Sequence, residues 1–378
     1  MSVALITTVL ADYRLPLFER LAREAGVEVL CVGGGERYVP AWFTDLDAQI
    51  ATAHFPARRI DGPRGAFAAA RHHDAVIAPF AGGAVLQAAY AGARAARRPF
   101  VLWASVWHEP QSRAHRLARP LIHHIYRDAD AVIAYGEHVR RFVAGIRGRD
   151  EDVIVAPQAV EPELFGREVA AGEVARFRAE HGLGHGPLVL YAGRLVAAKG
   201  IGVLLDAWRS APADATLVLI GDGELAPVAT ARDRVRRLAP LPRAALVPAY
   251  AAAEVFVLPS VPTPRFTEPW GLVVNEAMFQ GTAVVASDAV GAAAGGLVRD
   301  GETGLIVPAG DPVALGAALT RLLGDGALRA RLGAAGRQAL AGHTYEAMAA
   351  AFERALALAR ARRPASYRPR TAPRGRDG

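Results

Sequence analysis

Cysteine is almost missing from this chain. Cys31 stands alone among 378 residues, which excludes an intramolecular disulfide and a cysteine-ligated zinc site and fits a reducing compartment. Lysine is equally scarce: of 44 basic residues, Lys199 is the single lysine and every other is arginine. Long apolar runs are missing too. No stretch reaches about 18 uninterrupted apolar residues, so no spanning helix is expected, and the apolar start from Met1 to Leu10 lacks the basic leader and cleavage site of a secretion signal. These absences point to a cytoplasmic protein. Charged residues make up 21% and hydrophobic residues 52%, which provides for cores and excludes global disorder. The net charge of +7 comes from arginines spread over many helix-like segments, with no aromatic-interleaved basic stripe. A nucleic-acid partner is therefore not expected; a phosphorylated substrate or an anionic surface remains.

What is present alternates. Short apolar runs at Val3 to Thr8, Val27 to Val32, Ala75 to Pro79, Phe100 to Ala104, Ala131 to Ala134 and Asp152 to Ala156 read as strands, with helix-compatible segments between most of them, such as Leu15 to Ala25. A second series follows at Leu188 to Ala192, Thr216 to Ile220, Val255 to Pro259, Ala283 to Ser287 and Gly304 to Val307. Strands that alternate with helices make parallel sheets. The expected fold is α/β, with two Rossmann-like domains facing across a cleft, residues 1–160 and residues 161–344, joined near the proline-interrupted Pro157 to Pro162. Residues 345–362 read as a terminal helix returning to the first domain, and residues 363–378 as a disordered basic tail.

Two segments carry the chemistry. In LVLYAGRLVAAKGIGVLLDAW, Leu188 to Trp208, a strand runs through Gly193 into a loop bearing Arg194 and Lys199 before a helix begins. Ligands of open α/β sheets bind at that edge, and a planar guanidinium beside a compact ammonium suits a diphosphate. A solvated loop with incidental charge is the alternative, but the retention of one lysine in an otherwise all-arginine chain marks a place where a compact ammonium is needed. In PRFTEPWGLVVNEAMFQ, Pro264 to Gln280, Glu268 precedes a turn and Glu276 follows about two turns into a helix. If that helix starts near Gly271, the free N–H groups of Gly271, Leu272 and Val273 attract an anion, and the two carboxylates flank it, able to grip vicinal hydroxyls of a ribose or hexose. Helix capping by Glu268 and a solvent-facing Glu276 are the alternative.

Arg194, Lys199 and the Glu268 to Glu276 spacing resemble the signature of glycosyltransferase family 4, retaining enzymes of the GT-B fold. The resemblance extends through VFVLPS (Val255 to Ser260), GTAVVASD (Gly281 to Asp288) and DGETGLIVPAGD (Asp300 to Asp311), nearly the whole C-terminal half; the N-terminal half matches in outline. It implies that Arg194 and Lys199 neutralise a donor diphosphate without a metal or other cofactor, that Glu276 binds the nucleotide ribose and Glu268 the donor sugar, and that Gly271 and Leu272 supply backbone donors. The loop with Gly221 and Gly223 would pass close to the nucleotide. His108, in VLWASVWHEP, resembles the histidine by which many members contact the donor sugar, with packing or capping as the alternative. Asp12, Tyr13 and Arg14 are acceptor-side candidates, an ordinary turn being theirs. Two departures stand out: VLADYR, Val9 to Arg14, where many members carry a glycine pair, and APQAVE, Ala156 to Glu161, in the linker. The function implied is transfer of a sugar from a nucleoside diphosphate to an unidentified acceptor, whether glycan, lipid-linked or small molecule, with retention at the anomeric carbon. A nucleotide-sugar epimerase, a sugar phosphorylase and a non-catalytic nucleotide-sugar-binding protein share the architecture. A glycogen-type phosphorylase, however, needs a second, cofactor-binding lysine that the chain lacks. The arginine-rich stretch Arg113 to Arg119 fits peripheral contact with the inner membrane face, or else a solvated helix face.

Overall fold

The structure, a computed structural model, describes residues 2–33, 45–79, 84–109, 111, 113–230, 233–264 and 266–363. The tail read as disordered lies, from residue 364 on, outside the described residues. Among those described, the chain forms two parallel sheets. The first holds β1 (Val3–Thr7), β2 (Val27–Cys31), β3 (Ala57–Arg59), β4 (Ala75–Pro79), β5 (Phe100–Ala104), β6 (Ala131–Ala134) and β7 (Val153–Val155), in the order β3-β2-β1-β4-β5-β6-β7. The second holds β8 (Leu188–Ala192), β9 (Thr216–Ile220), β10 (Val235–Leu238), β11 (Val255–Leu258), β12 (Ala283–Ser287) and β13 (Leu305–Val307), in the order β10-β9-β8-β11-β12-β13.

Helices cover both faces of each sheet, so the central strands are apolar on both sides; β5, β8 and β12 are buried throughout. The strands missed by sequence are β3 and β10, both at sheet edges. Their ARR and VRRL carry charge where a central strand needs apolar residues, which removes the hydrophobic signal and blunts the edge against unwanted pairing.

The helix Leu15–Ala25 has the expected bounds because its ends are marked: Pro16 sits in the first turn and Gly26 closes it at φ 67°. The last helix, Tyr345–Arg362, starts at Thr344, whose hydroxyl accepts from the Ala347 N–H at 3.1 Å. Its buried face, Tyr345, Met348, Phe352, Ala355, Leu356 and Ala359, belongs to the core of the first sheet, with Leu5, Ile77 and Trp103. The Phe352 ring meets Trp103 edge-on at 5.1 Å. The chain therefore crosses from the second domain to finish the first. Phe352→Ala is expected to destabilise the protein by about 3–5 kcal/mol, read as a lower midpoint in urea or heat, whereas an unchanged midpoint would show that the helix is not part of that core.

Candidate active site

Parallel strands present all their carboxyl ends at one edge, and the order of each sheet reverses between β1 and β4 and between β8 and β11. The loops after β8 and β11 carry the two sequence segments that resembled a diphosphate site. They interlock. Gly221, after β9, has φ +152° and lies so close to the Gly193 carbonyl that a Cβ would sit 1.9 Å from its oxygen. The Val261 N–H donates to Ala198 O at 3.0 Å, Leu195 N–H to Asp222 O at 2.8 Å, and the buried Tyr191 hydroxyl to Arg194 O at 2.7 Å.

On this scaffold Lys199 forms an ion pair with Glu268, their side chains only 15% and 8% exposed. Ser260 Oγ donates to the same carboxylate oxygen at 3.1 Å, and the Lys199 ammonium lies 5.6 Å from the centre of the Phe266 ring. Gly271, at φ +92°, is the N-cap of the helix Leu272–Phe279, where a Cβ would meet Leu258 Cδ2 at 2.6 Å. The N–H groups of Gly271, Leu272 and Val273 donate to no backbone acceptor among the described residues. Arg194 is half-buried and has no ion-pair partner among them. It and Glu268 act on the same hydroxyl, that of Tyr191, whose pKa burial pushes well above its ordinary value, with Glu268 raising it and Arg194 lowering it. Lys199, Arg194, Glu268 and the amino end of the helix thus share one strand edge, with Gly193, Gly221 and Gly223 in the interlocked turns around them.

Glu276 is the fifth residue of its helix, just over one turn in rather than two. It is buried and accepts from the Tyr250 hydroxyl at 2.6 Å. Desolvation raises its pKa, opposed by that hydrogen bond and by Arg243, and reinforced by Glu161, which is ion-paired to Arg243.

From the first domain, His108 brings Nε2 to 3.2 Å from the Thr267 hydroxyl, next to Glu268, and Trp107 Nε1 donates to Glu268 O at 3.2 Å. The His108 Nδ1 is buried without a partner among the described residues, and burial lowers the pKa of the ring, against the pull of Glu109. Tyr13 keeps 37% of its surface open, and desolvation of its hydroxyl raises its pKa. Arg14 lowers it, while Tyr135 and, across the domains, Glu268 raise it. Asp12 is exposed. Arg14 requires a correction as an acceptor-side candidate: it turns inward, 5% exposed, between the rings of Trp103 and Tyr135, each 5.3 Å from its guanidinium, and donates to Gln158 Oε1 at 2.6 Å. A cation buried this way is held by its hydrogen bond and the ring faces.

Gln158 is the meeting point of the domains. Its carbonyl accepts from Asn275 Nδ2 at 2.9 Å and is 3.2 Å from His343 Nδ1; Asn275 Oδ1 accepts from Trp270 Nε1 at 2.8 Å. Trp107, His138, Trp270 and His343 succeed one another along this junction with ring centroids 5.1, 6.1 and 5.6 Å apart. His138 Nε2 donates to Pro269 O at 3.0 Å, which fixes the tautomer and leaves a buried Nδ1 without a partner among the described residues. Sequence reading singled out none of Ser260, Tyr191, Tyr250, Arg243, Gln158 or His138 as a site residue. Several lie inside motifs it quoted, but their partners come from distant segments that no local spacing reports.

Residues 186–325 match the family described as glycosyl transferases group 1. A D-inositol 3-phosphate glycosyltransferase of Xylanimonas cellulosilytica is 35% identical over 255 residues, covering 63% of this chain and 59% of that protein. A phosphatidyl-myo-inositol mannosyltransferase of Mycobacterium leprae is 35% identical over 177 residues, 45% of this chain and 46% of that one. The chain thus spans about half the length of the curated relatives it matches. Among solved structures, Anabaena HepE in complex with UDP aligns with a TM-score of 0.77 over 94% of this chain and 100% of that one, at 20% identity, which establishes the GT-B fold.

His138 makes a pH prediction. Burial, with Arg141 adding, pulls its pKa down to about 4 against the Pro269 hydrogen bond and Glu137, while an unfolded chain has the ordinary value near 6.5. Between those values the unfolded state binds a proton that the folded state does not, so stability falls as pH drops from about 6.5 towards 4. Urea unfolding should give a lower midpoint at pH 5 than at pH 7, and His138→Asn should flatten the difference; an NMR titration of His138 centred near 6.5 would contradict the account.

Proposed function

We propose that this chain transfers a sugar from a nucleoside diphosphate donor to an acceptor, with retention at the anomeric carbon, a reading supported by the match of residues 186–325 to the glycosyl transferases group 1 family. One observation carries the reading: the only lysine in the sequence, Lys199, stands beside Glu268 at the entry to the helix Leu272–Phe279, whose first N–H groups donate to no backbone acceptor among the described residues, with Arg194 at the same strand edge. Charge grows on a diphosphate as its bond to the sugar breaks. Two cations and a helix amino end stabilise that charge without a metal, in a water-poor site where such groups act most strongly. Glu268, beside Lys199, is suited to hydroxyls of the sugar, and Glu276, deeper beside Tyr250, to those of the ribose. His108 reaches the site from the opposite domain, at the Thr267 hydroxyl beside Glu268. The Anabaena neighbour's complex with UDP supports a nucleoside diphosphate as the ligand class, and the two curated relatives, by name, support an inositol-containing acceptor.

The reading extends to peripheral contact with an anionic membrane. On the helix Arg113–Asp128, Leu117 is 85% and Leu121 48% exposed, one turn apart, among the exposed Arg113, Arg116 and Arg119. No helix of the described residues is long and apolar enough to cross a membrane. Two leucines that insert and three cations that attract lipid headgroups make a surface contact.

Lys199→Ala is expected to cost roughly 3–4 kcal/mol of transition-state stabilisation, a fall of hundreds-fold in kcat. Undiminished turnover in the purified variant would remove the mechanism. Screening UDP, GDP, ADP and dTDP by thermal shift should find one that stabilises the protein, by about 2.7 kcal/mol at a hundred times its Kd. Conversion of the sugar nucleotide with no acceptor present would indicate an epimerase instead. In flotation with anionic vesicles, the double change Leu117→Ser and Leu121→Ser should leave the protein in solution where the unmodified chain floats; equal flotation would remove the membrane contact.

A further inference from the structure

Ser260 has no exposed surface, and its hydroxyl donates to Glu268 Oε2 at 3.1 Å, the same atom that Lys199 engages. Its own backbone is braced on both sides. The Ser260 carbonyl accepts from the Ser287 hydroxyl, and the next residue, Val261, donates to Ala198 O at 3.0 Å in the turn that carries Lys199. Pro259 closes against Gly200, where a Cβ would stand 1.9 Å from the proline carbonyl oxygen. One short segment after β11 therefore sets the relative positions of the cation and the carboxylate.

We infer that Ser260 is a positioning residue that keeps the Glu268 carboxylate in place for the donor sugar when the donor diphosphate draws Lys199 away from it. The inference rests on the transferase reading above. A single ammonium cannot serve a carboxylate and a diphosphate equally, and the diphosphate, with more charge and more oxygens, competes for it. Once Lys199 leaves, the buried carboxylate retains Ser260 as its one side-chain donor among the described residues, with its remaining lone pairs open to a sugar hydroxyl. The diphosphate takes the cation and the sugar takes the carboxylate. A nucleoside diphosphate without its sugar leaves Glu268 short of a partner, so the intact donor gains an increment of affinity that depends on where Ser260 holds that carboxylate.

The test compares the nucleoside diphosphate that stabilises the unmodified protein with its glucose- and mannose-linked forms, using calorimetric binding and steady-state kinetics. In Ser260→Ala the diphosphate alone should bind within about twofold of the unmodified chain, while the sugar nucleotide should weaken by about tenfold, with kcat/KM falling alongside. Ser260→Thr, which retains the hydroxyl, should restore most of the difference. Ser260→Cys, which keeps the side-chain shape and is a poor donor, replaces the alanine variant if that one does not fold. Equal weakening of both ligands would show a brace for the loop and nothing more, and unchanged binding of both would show no role; either overturns the inference. If no nucleoside diphosphate binds the unmodified protein, it is the transferase reading that fails, and this inference falls with it.

Discussion

The contact between Lys199 and Glu268 is the constraint on which the site depends. Opposite charges in a largely dry loop junction stabilise the protein only while each keeps a partner, and removing one leaves the other buried and unpaired. The fold supplies the rest of the arrangement. Because β8 and β11 are neighbours at the point where strand order reverses, the loop holding Lys199 and the loop holding Glu268 must share an edge, and the helix that follows Glu268 opens towards it. An ion pair between a turn and the entry to a helix is suited to exchange partners with an anionic ligand that carries hydroxyl groups.

The junction between the domains gives a second lesson. The loop after β1 and the linker are the two places where this chain departs from the pattern it resembles, and in three dimensions they touch: Arg14 from one donates to Gln158 of the other. Two apparent departures are one physical change, a buried cation with its acceptor. Through Gln158 the same contact reaches Asn275 and Trp270 of the second domain and His343 before the returning helix. The cleft is thus tied at its base by buried polar groups that are costly to leave unsatisfied.

Much of this was legible in the sequence, for reasons that differ by residue. Apolar runs buried on both faces announced the central strands, and the marked ends of Leu15–Ala25 fixed its bounds. The solitary lysine and the first glutamate of the spaced pair pointed to Lys199 and Glu268, which the structure brings together, while the second, Glu276, lies beside Tyr250. The edge strands were hidden by the arginines that protect them, and Arg14 was misread because an arginine in a loop ordinarily seeks water; only the rings of Trp103 and Tyr135, about 90 and 120 residues away in the chain, make burial favourable. The helix start read near Gly271 agrees with its N-cap, and Glu276 was placed too deep only because the five residues from Leu272 to Glu276 make just over one turn and not two.

The most direct test of the central claim is a crystal structure of the protein soaked with the nucleoside diphosphate that stabilises it. The account predicts both phosphates at the strand edge, with Lys199 Nζ and Arg194 on their oxygens, the N–H groups of Gly271 to Val273 turned to the same group, and Lys199 withdrawn from Glu268. A diphosphate bound elsewhere, or bound there with the Lys199 and Glu268 pair still closed, would contradict it.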